Sequence, residues 1–210
     1  MGGRAQTFTL EAFVAAILLL ATIAFALQVV SISANTASPA DAELRNQHAG
    51  LARGVMDEAA TDGNLSRMLR YWDQNASAFH GADEGAADGS YYVSRLPQNA
   101  DAPEFGRALG EPFDNRQVRY NVDLYYTRAN GTRGHQQLVD SGTPSDDAVR
   151  VVGTVTLYDD TPLLDANGSR ENTTLREVAA DSNQAFYAPD ARPDGPLYNV
   201  VRVEVVLWKP

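Results

Sequence analysis

From Ala12 to Val30 the chain reads AFVAAILLLATIAFALQVV, and Thr22 and Gln28 are its only polar side chains. A helix that is apolar on every side must be buried in a large core or in lipid. The run spans 19 residues, close to the ~20 that cross a hydrocarbon layer of ~30 Å. A secretory signal has a shorter apolar region of about 7–15 residues, followed by small residues at a cleavage site. Ser33 and Ala34 offer such small residues. Two readings therefore stand, a retained anchor and a removed signal, and the length of the run favours the anchor. The flanks set an orientation. Arg4 and the α-amine precede the run, whereas Asp41 and Glu43 follow it. Positive charge tends to stay on the cytoplasmic side, so the N-terminus is expected inside and the C-terminal part outside.

A carboxylate, Glu11, stands at the start of the run. At a membrane edge it is costly unless paired or hydrated. The stretch Arg4-Ala5-Gln6-Thr7-Phe8-Thr9-Leu10-Glu11, followed by an apolar helix, resembles the beginning of type IV pilins and their pilin-like relatives. The wider likeness is to haloarchaeal pilin-like membrane proteins. The resemblance implies a short basic leader cut by a prepilin peptidase. It also implies a glutamate at the fifth mature position that pairs with a neighbouring subunit's new α-amine. Cleavage after Ala5 makes Glu11 the sixth mature residue, and cleavage after Gln6 makes it the fifth; both remain open. Phe8 and Glu11 are then the assembly residues. Ala12, Ala15, Ala16, Ala21 and Ala24 would allow close helix approach, or serve simply as apolar filler.

The chain as a whole is acidic, with 27 acidic against 17 basic residues and a net charge of -10. Nucleic-acid binding needs a basic patch, so it is not expected. Lys209 is the sole lysine. An acidic, lysine-poor surface resembles proteins of salt-loving archaea, where salt screens the repulsion between like charges. The chain has no cysteine, which excludes disulfides, thiolate zinc sites and a cysteine nucleophile.

The organisation expected from the pattern begins with a leader and cytoplasmic end at 1–11 and a transmembrane helix at 12–32. A break at 33–39 and a helical segment at 40–75 follow, then a long loop at 76–117 and an antiparallel sheet at 118–210. Ser38 and Pro39 suit a helix start, a capping hydroxyl before proline at the first helical position. Leu44, Leu51 and Val55 mark a narrow apolar stripe after it, with Gln47, His48 and Ala52 near that face, and Leu65, Met68, Leu69 and Trp72 mark a second short helix over Asn64–Gln74. One strand is expected at Tyr91–Leu96. Val118, Tyr120, Val122, Leu124 and Tyr126 alternate with polar residues as in a half-buried strand. Asn130-Gly131 predicts a hairpin turn. Val201, Val203, Val205 and Leu207 predict a last strand with one buried face. A short helix is expected at Thr174–Ala180. The fold class is α+β: a transmembrane helix continuing into an amphipathic helix packed on a C-terminal antiparallel sheet, a pilin-like build.

Catalytic motifs are missing. His48, His80 and His135 lack metal-ligand spacing, and no phosphate loop or nucleophile elbow is present. The segment from Asp165 begins like a calcium loop but has Arg170 where glycine is needed. No cofactor, metal or enzyme activity is expected. Five sequons, at Asn64, Asn75, Asn130, Asn167 and Asn172, are candidate N-glycosylation acceptors. The function expected is a non-enzymatic subunit or minor component of a type IV pilus-like surface assembly. Its partners would be the bilayer, related pilin-like subunits and a prepilin peptidase. The alternative is a membrane-anchored extracellular module that binds envelope components and does not polymerise.

Overall fold

The computed structural model describes residues 11, 13–23, 39–84, 86, 90–114, 116–182 and 185–210. The chain divides into two compact units, Met1–Glu43 and Leu44–Pro210. In the first, residues 11 and 13–23 form helix α1. Chain order then gives α2 (Pro39–Thr61), α3 (Asn64–Leu69), β1 (Trp72–Asp73), β2 (Ala78–Phe79), α4 (Glu104–Asp114), β3 (Arg119–Thr127), β4 (Arg133–Val139), β5 (Val149–Tyr158), β6 (Pro162–Leu164), β7 (Arg170–Thr174), α5 (Leu175–Ala180) and β8 (Leu197–Trp208). The chain is α+β with an antiparallel sheet.

The main sheet has four strands in the order β4-β3-β8-β5, every neighbour antiparallel. β8 lies inside the sheet, paired with β3 on one side and β5 on the other. Tyr120, Val122 and Leu124 of β3, Val151, Val155 and Leu157 of β5, and Val201, Val203, Val205 and Leu207 of β8 bury one face. The β3–β4 hairpin closes as expected through Gly131 at φ 77°. The Arg128 amide donates to the Thr132 carbonyl at 2.8 Å.

The helix face against this sheet overlaps the stripe read in the sequence, with Val55 packed on the core, but is centred on smaller residues. His48, Ala49, Ala52, Met56 and Ala59 are buried, whereas Leu51 is exposed. The reason is close approach. Gly153 on β5 has no Cβ, and one added there would stand 2.6 Å from Met56 Cε and 3.3 Å from Leu65 Cδ2. A thin Ala face fits such a gap better than a Leu stripe.

Three further expectations are corrected. The helical segment expected to run to residue 75 stops at Leu69. Trp72 instead joins an aromatic cluster, with ring centroids 4.9 Å from Phe79 and 5.4 Å from Tyr187, and its indole N–H donates to the Ala185 carbonyl at 2.7 Å. The 76–117 loop contains α4, whose Phe105, Leu109 and Phe113 are all buried. Residues 91–96 are not a strand; they make one bridge, Tyr92 to Val139. The segment from Asp165 forms the turn and second strand of the β6–β7 hairpin. α5 follows, held by a capping box in which Thr174 and Glu177 satisfy each other's amides.

The second face of the sheet is covered at one end only. The β4–β5 connection joins opposite edges of the sheet. Ser141 donates its amide to Asn121 Oδ1 at 2.7 Å, and Asn121 Nδ2 donates to the Gly142 carbonyl at 2.9 Å. Asn121, Val206 and Trp208 on that end are buried. At the other end Val152, Tyr158 and Val200 stay exposed.

Candidate functional site

α1 presents apolar side chains on every side. Phe13 is 66% exposed and Leu20 65%, and Val14, Ile17, Leu18, Leu19 and Ile23 are exposed as well. Ala15, Ala16 and Ala21 are also exposed, and so is Glu11. A monomer in water rarely leaves a contiguous apolar surface of this kind without a covering partner. The single polar side chain over 13–23 is Thr22, and its hydroxyl points back into its own helix, 3.0 Å from the Leu18 carbonyl and 2.8 Å from that of Leu19. This back-bonding satisfies the hydroxyl without water, so the helix surface carries no unmet polar group there.

Of the span expected at 12–32, residues 13–23 are described and helical. Residue 12 and residues 24–32 lie outside the described residues, as do the assembly residue Phe8, the candidate cleavage positions Ala5 and Gln6, and Ala24. Among the described residues, no helix is long and apolar enough to cross a membrane.

The sequons lie in different settings. Asn75, Asn130 and Asn167 are exposed in turns, and Asn172 is exposed on β7. Asn64 is half-buried as the first residue of α3.

His48 lies on α2, His80 directly after β2 and His135 on β4. His48 is buried edge-on to Phe113, with ring centroids 6.0 Å apart. Burial, then Lys209 and Arg116, lowers its pKa below the ordinary imidazole value. His80 hydrogen-bonds the Leu164 carbonyl through Nε2 at 2.9 Å and lies 5.0 Å from the Tyr71 ring. His135 pairs with Asp123 at 2.8 Å. Among the described residues no group of three or more His, Cys, Asp or Glu could hold a metal ion.

A feature not read in the sequence lies on the open end of the sheet. The Arg133 and Arg202 guanidiniums stand 5.9 and 5.8 Å from the Tyr125 ring centroid. Tyr125, Arg133 and Arg202, with Thr127, Gly131 and Val200, line a shallow cleft of about 380 Å³. Arg202 also pairs with Glu204 at 2.7 Å, and Arg150 reaches the same carboxylate at 3.4 Å. Burial, then Asp123 and Glu204, raises the Tyr125 pKa. The cleft offers positive charge and hydrogen-bond donors but no nucleophile and base pair. Its three main residues come from three strands, so only the pairing register reveals it.

No curated protein and no solved structure matches the chain. One family pattern does match, over residues 4–207, and so takes in both the apolar run and the head. The chain belongs to that family, the family of unknown function DUF7288.

Proposed function

We propose that the protein is a non-enzymatic, pilin-like membrane protein. It is a subunit or minor component of a type IV pilus-like surface assembly, with its N-terminus in the cytoplasm and its head outside the cell. The observation that carries this reading is α1, whose described side chains are all exposed and almost all apolar. At 1.5 Å per residue the full apolar run measures about 28 Å as a helix, matched to the hydrocarbon thickness. The family match spans residues 4–207, so the apolar run and the head are matched together. In this account Glu11 sets register by pairing with a cation on a neighbouring helix, since an unpaired carboxylate at the membrane edge is costly. Ala15, Ala16 and Ala21 let helix backbones approach closely.

A second reading is favoured by the Tyr125 cleft. The head would then be an anchored module that binds an anionic envelope component between Arg133 and Arg202, without polymerising. Because the chain has no cysteine, single-cysteine variants along 13–23 separate the two readings without background. Assembly is expected to give oxidative cross-links in the membrane that recur with helical period, and Glu11→Gln is expected to reduce them several-fold while leaving insertion intact. Membrane-inserted protein with no cross-link at any position would favour the anchored module. Normal cross-linking in Glu11→Gln would remove Glu11 from the mechanism.

A further inference from the structure

The structure separates the five sequons into two groups by what their +2 hydroxyls are doing. In a sequon the asparagine Nδ2 is the reacting atom and the +2 hydroxyl is the second required group, so a transferase must reach both. We infer that the folded head is N-glycosylated at Asn75, Asn130 and Asn167 and is refused at Asn64 and Asn172. The inference rests on the outward-facing head proposed above.

Asn130 is the best-presented acceptor. It stands in the exposed β3–β4 turn, where the Thr132 hydroxyl and amide both donate to Asn130 Oδ1, at 2.7 and 3.0 Å. The +2 hydroxyl is thus held against the acceptor amide, and Asn130 Nδ2 makes no hydrogen bond among the described residues. Asn75 and Ser77 are both exposed in the β1–β2 turn. That turn is fixed from outside the sequon, because Asp73 Oδ1 accepts the amides of Asn75 and Ala76 at 2.9 and 3.0 Å. Asn167 and Ser169 are both exposed in the β6–β7 turn. There Asp165 Oδ1 accepts both of their amides at 2.9 Å, which leaves the Asn167 amide side chain and the Ser169 hydroxyl to solvent.

The other two sequons are spent on folding. Asn64 and Ser66 lie two apart in α3, and residues two apart on a helix do not face each other. The Ser66 hydroxyl also accepts a hydrogen bond from Nε of the buried Arg70 at 3.3 Å. Asn172 and Thr174 share a strand face, but the Thr174 hydroxyl is the cap of α5. It donates to Glu177 Oε2 at 2.9 Å and accepts the Glu177 amide at 3.4 Å.

The step is a glycosyl transfer from a lipid-phosphate-linked sugar. Nδ2 forms a bond to the anomeric carbon, the bond from that carbon to the phosphate oxygen breaks with its electron pair going to the departing lipid phosphate, and Nδ2 gives up one proton to a base of the transferase. No redox change occurs.

The test is peptide mapping by mass spectrometry of the full-length protein taken from its native membrane, with protease added to intact cells as the control for export. The expected result is a glycan mass on each of the Asn75, Asn130 and Asn167 peptides and bare Asn64 and Asn172 peptides. Asn130→Asp keeps the Oδ1 acceptor for Thr132, so it should lose one glycan mass and keep the thermal midpoint of the unglycosylated head. A bare peptide as the main species at any of the three, or a glycan on Asn64 or Asn172, overturns the inference. If the external protease cuts the head when this happens, the export reading survives. A head that the protease cannot reach overturns the export reading, and this inference with it.

Discussion

The His48 imidazole is buried on α2 against Phe113, and its Nε2 has no hydrogen-bond partner among the described residues. Burial disfavours the charged form, and Lys209 and Arg116 disfavour it further, so its pKa falls below 6.5 in the folded state. The unfolded chain then binds more protons over the window just below 6.5, and stability rises with pH across that window. Above 6.5 the imidazole is neutral in both states and the charge penalty vanishes. As pH falls through the folded-state pKa the full penalty is reached. Denaturant midpoints at pH 7.5 and 5.5 check this: His48→Gln is expected to lose less stability between the two than the wild type. An equal loss in both would show that His48 carries no such penalty. That this histidine lies near the apolar face of a helix was legible in the sequence; the depth of its burial was not, because that depends on how closely the sheet approaches.

At the scale of elements, glycine decides where the chain packs tightly. Gly106 of α4 faces the backbone of a preceding segment, and a Cβ there would lie 2.1 Å from the Pro97 carbonyl oxygen. That segment cannot easily retreat, since the Leu96 amide donates to the buried Tyr120 hydroxyl at 3.1 Å. Gly106→Ala is therefore expected to destabilise the head by about 1–3 kcal/mol. Gly54→Ala on α2, where nothing lies within 4 Å, should stabilise it by roughly 0.5–1 kcal/mol. Chemical denaturation of the two variants checks the pair, and equal effects would contradict the packing described. The strands were legible because Tyr120, Val122 and Leu124, and again Val201, Val203 and Val205, alternate with polar neighbours. α4 was not, although Phe105, Leu109 and Phe113 repeat at helical spacing. Gly106, Gly110 and Pro112 read as loop residues, whereas the two glycines are there to let α4 approach its neighbours and Pro112 lies in the last turn. Trp72 continued a helical stripe in sequence but is drawn into a ring cluster built from residues far along the chain, which no local pattern can foretell.

For the whole molecule, two physically different parts share one chain. The head buries its apolar residues under α2, α3 and α4 and on the inner face of the sheet. α1 exposes apolar side chains that nothing in water would satisfy. The apolar run itself was legible in the sequence, because a long apolar stretch needs no tertiary context to be recognised. The Tyr125 cleft was hidden because it exists only once β4, β3 and β8 are in register. The most direct measurement is fractionation of the full-length protein, with alkaline carbonate washing and protease treatment of intact cells. The account predicts that the chain stays with the membrane through carbonate and leaves only with detergent, and that protease outside the cell cuts away the head. A full-yield soluble protein beginning near Ala34 would contradict it.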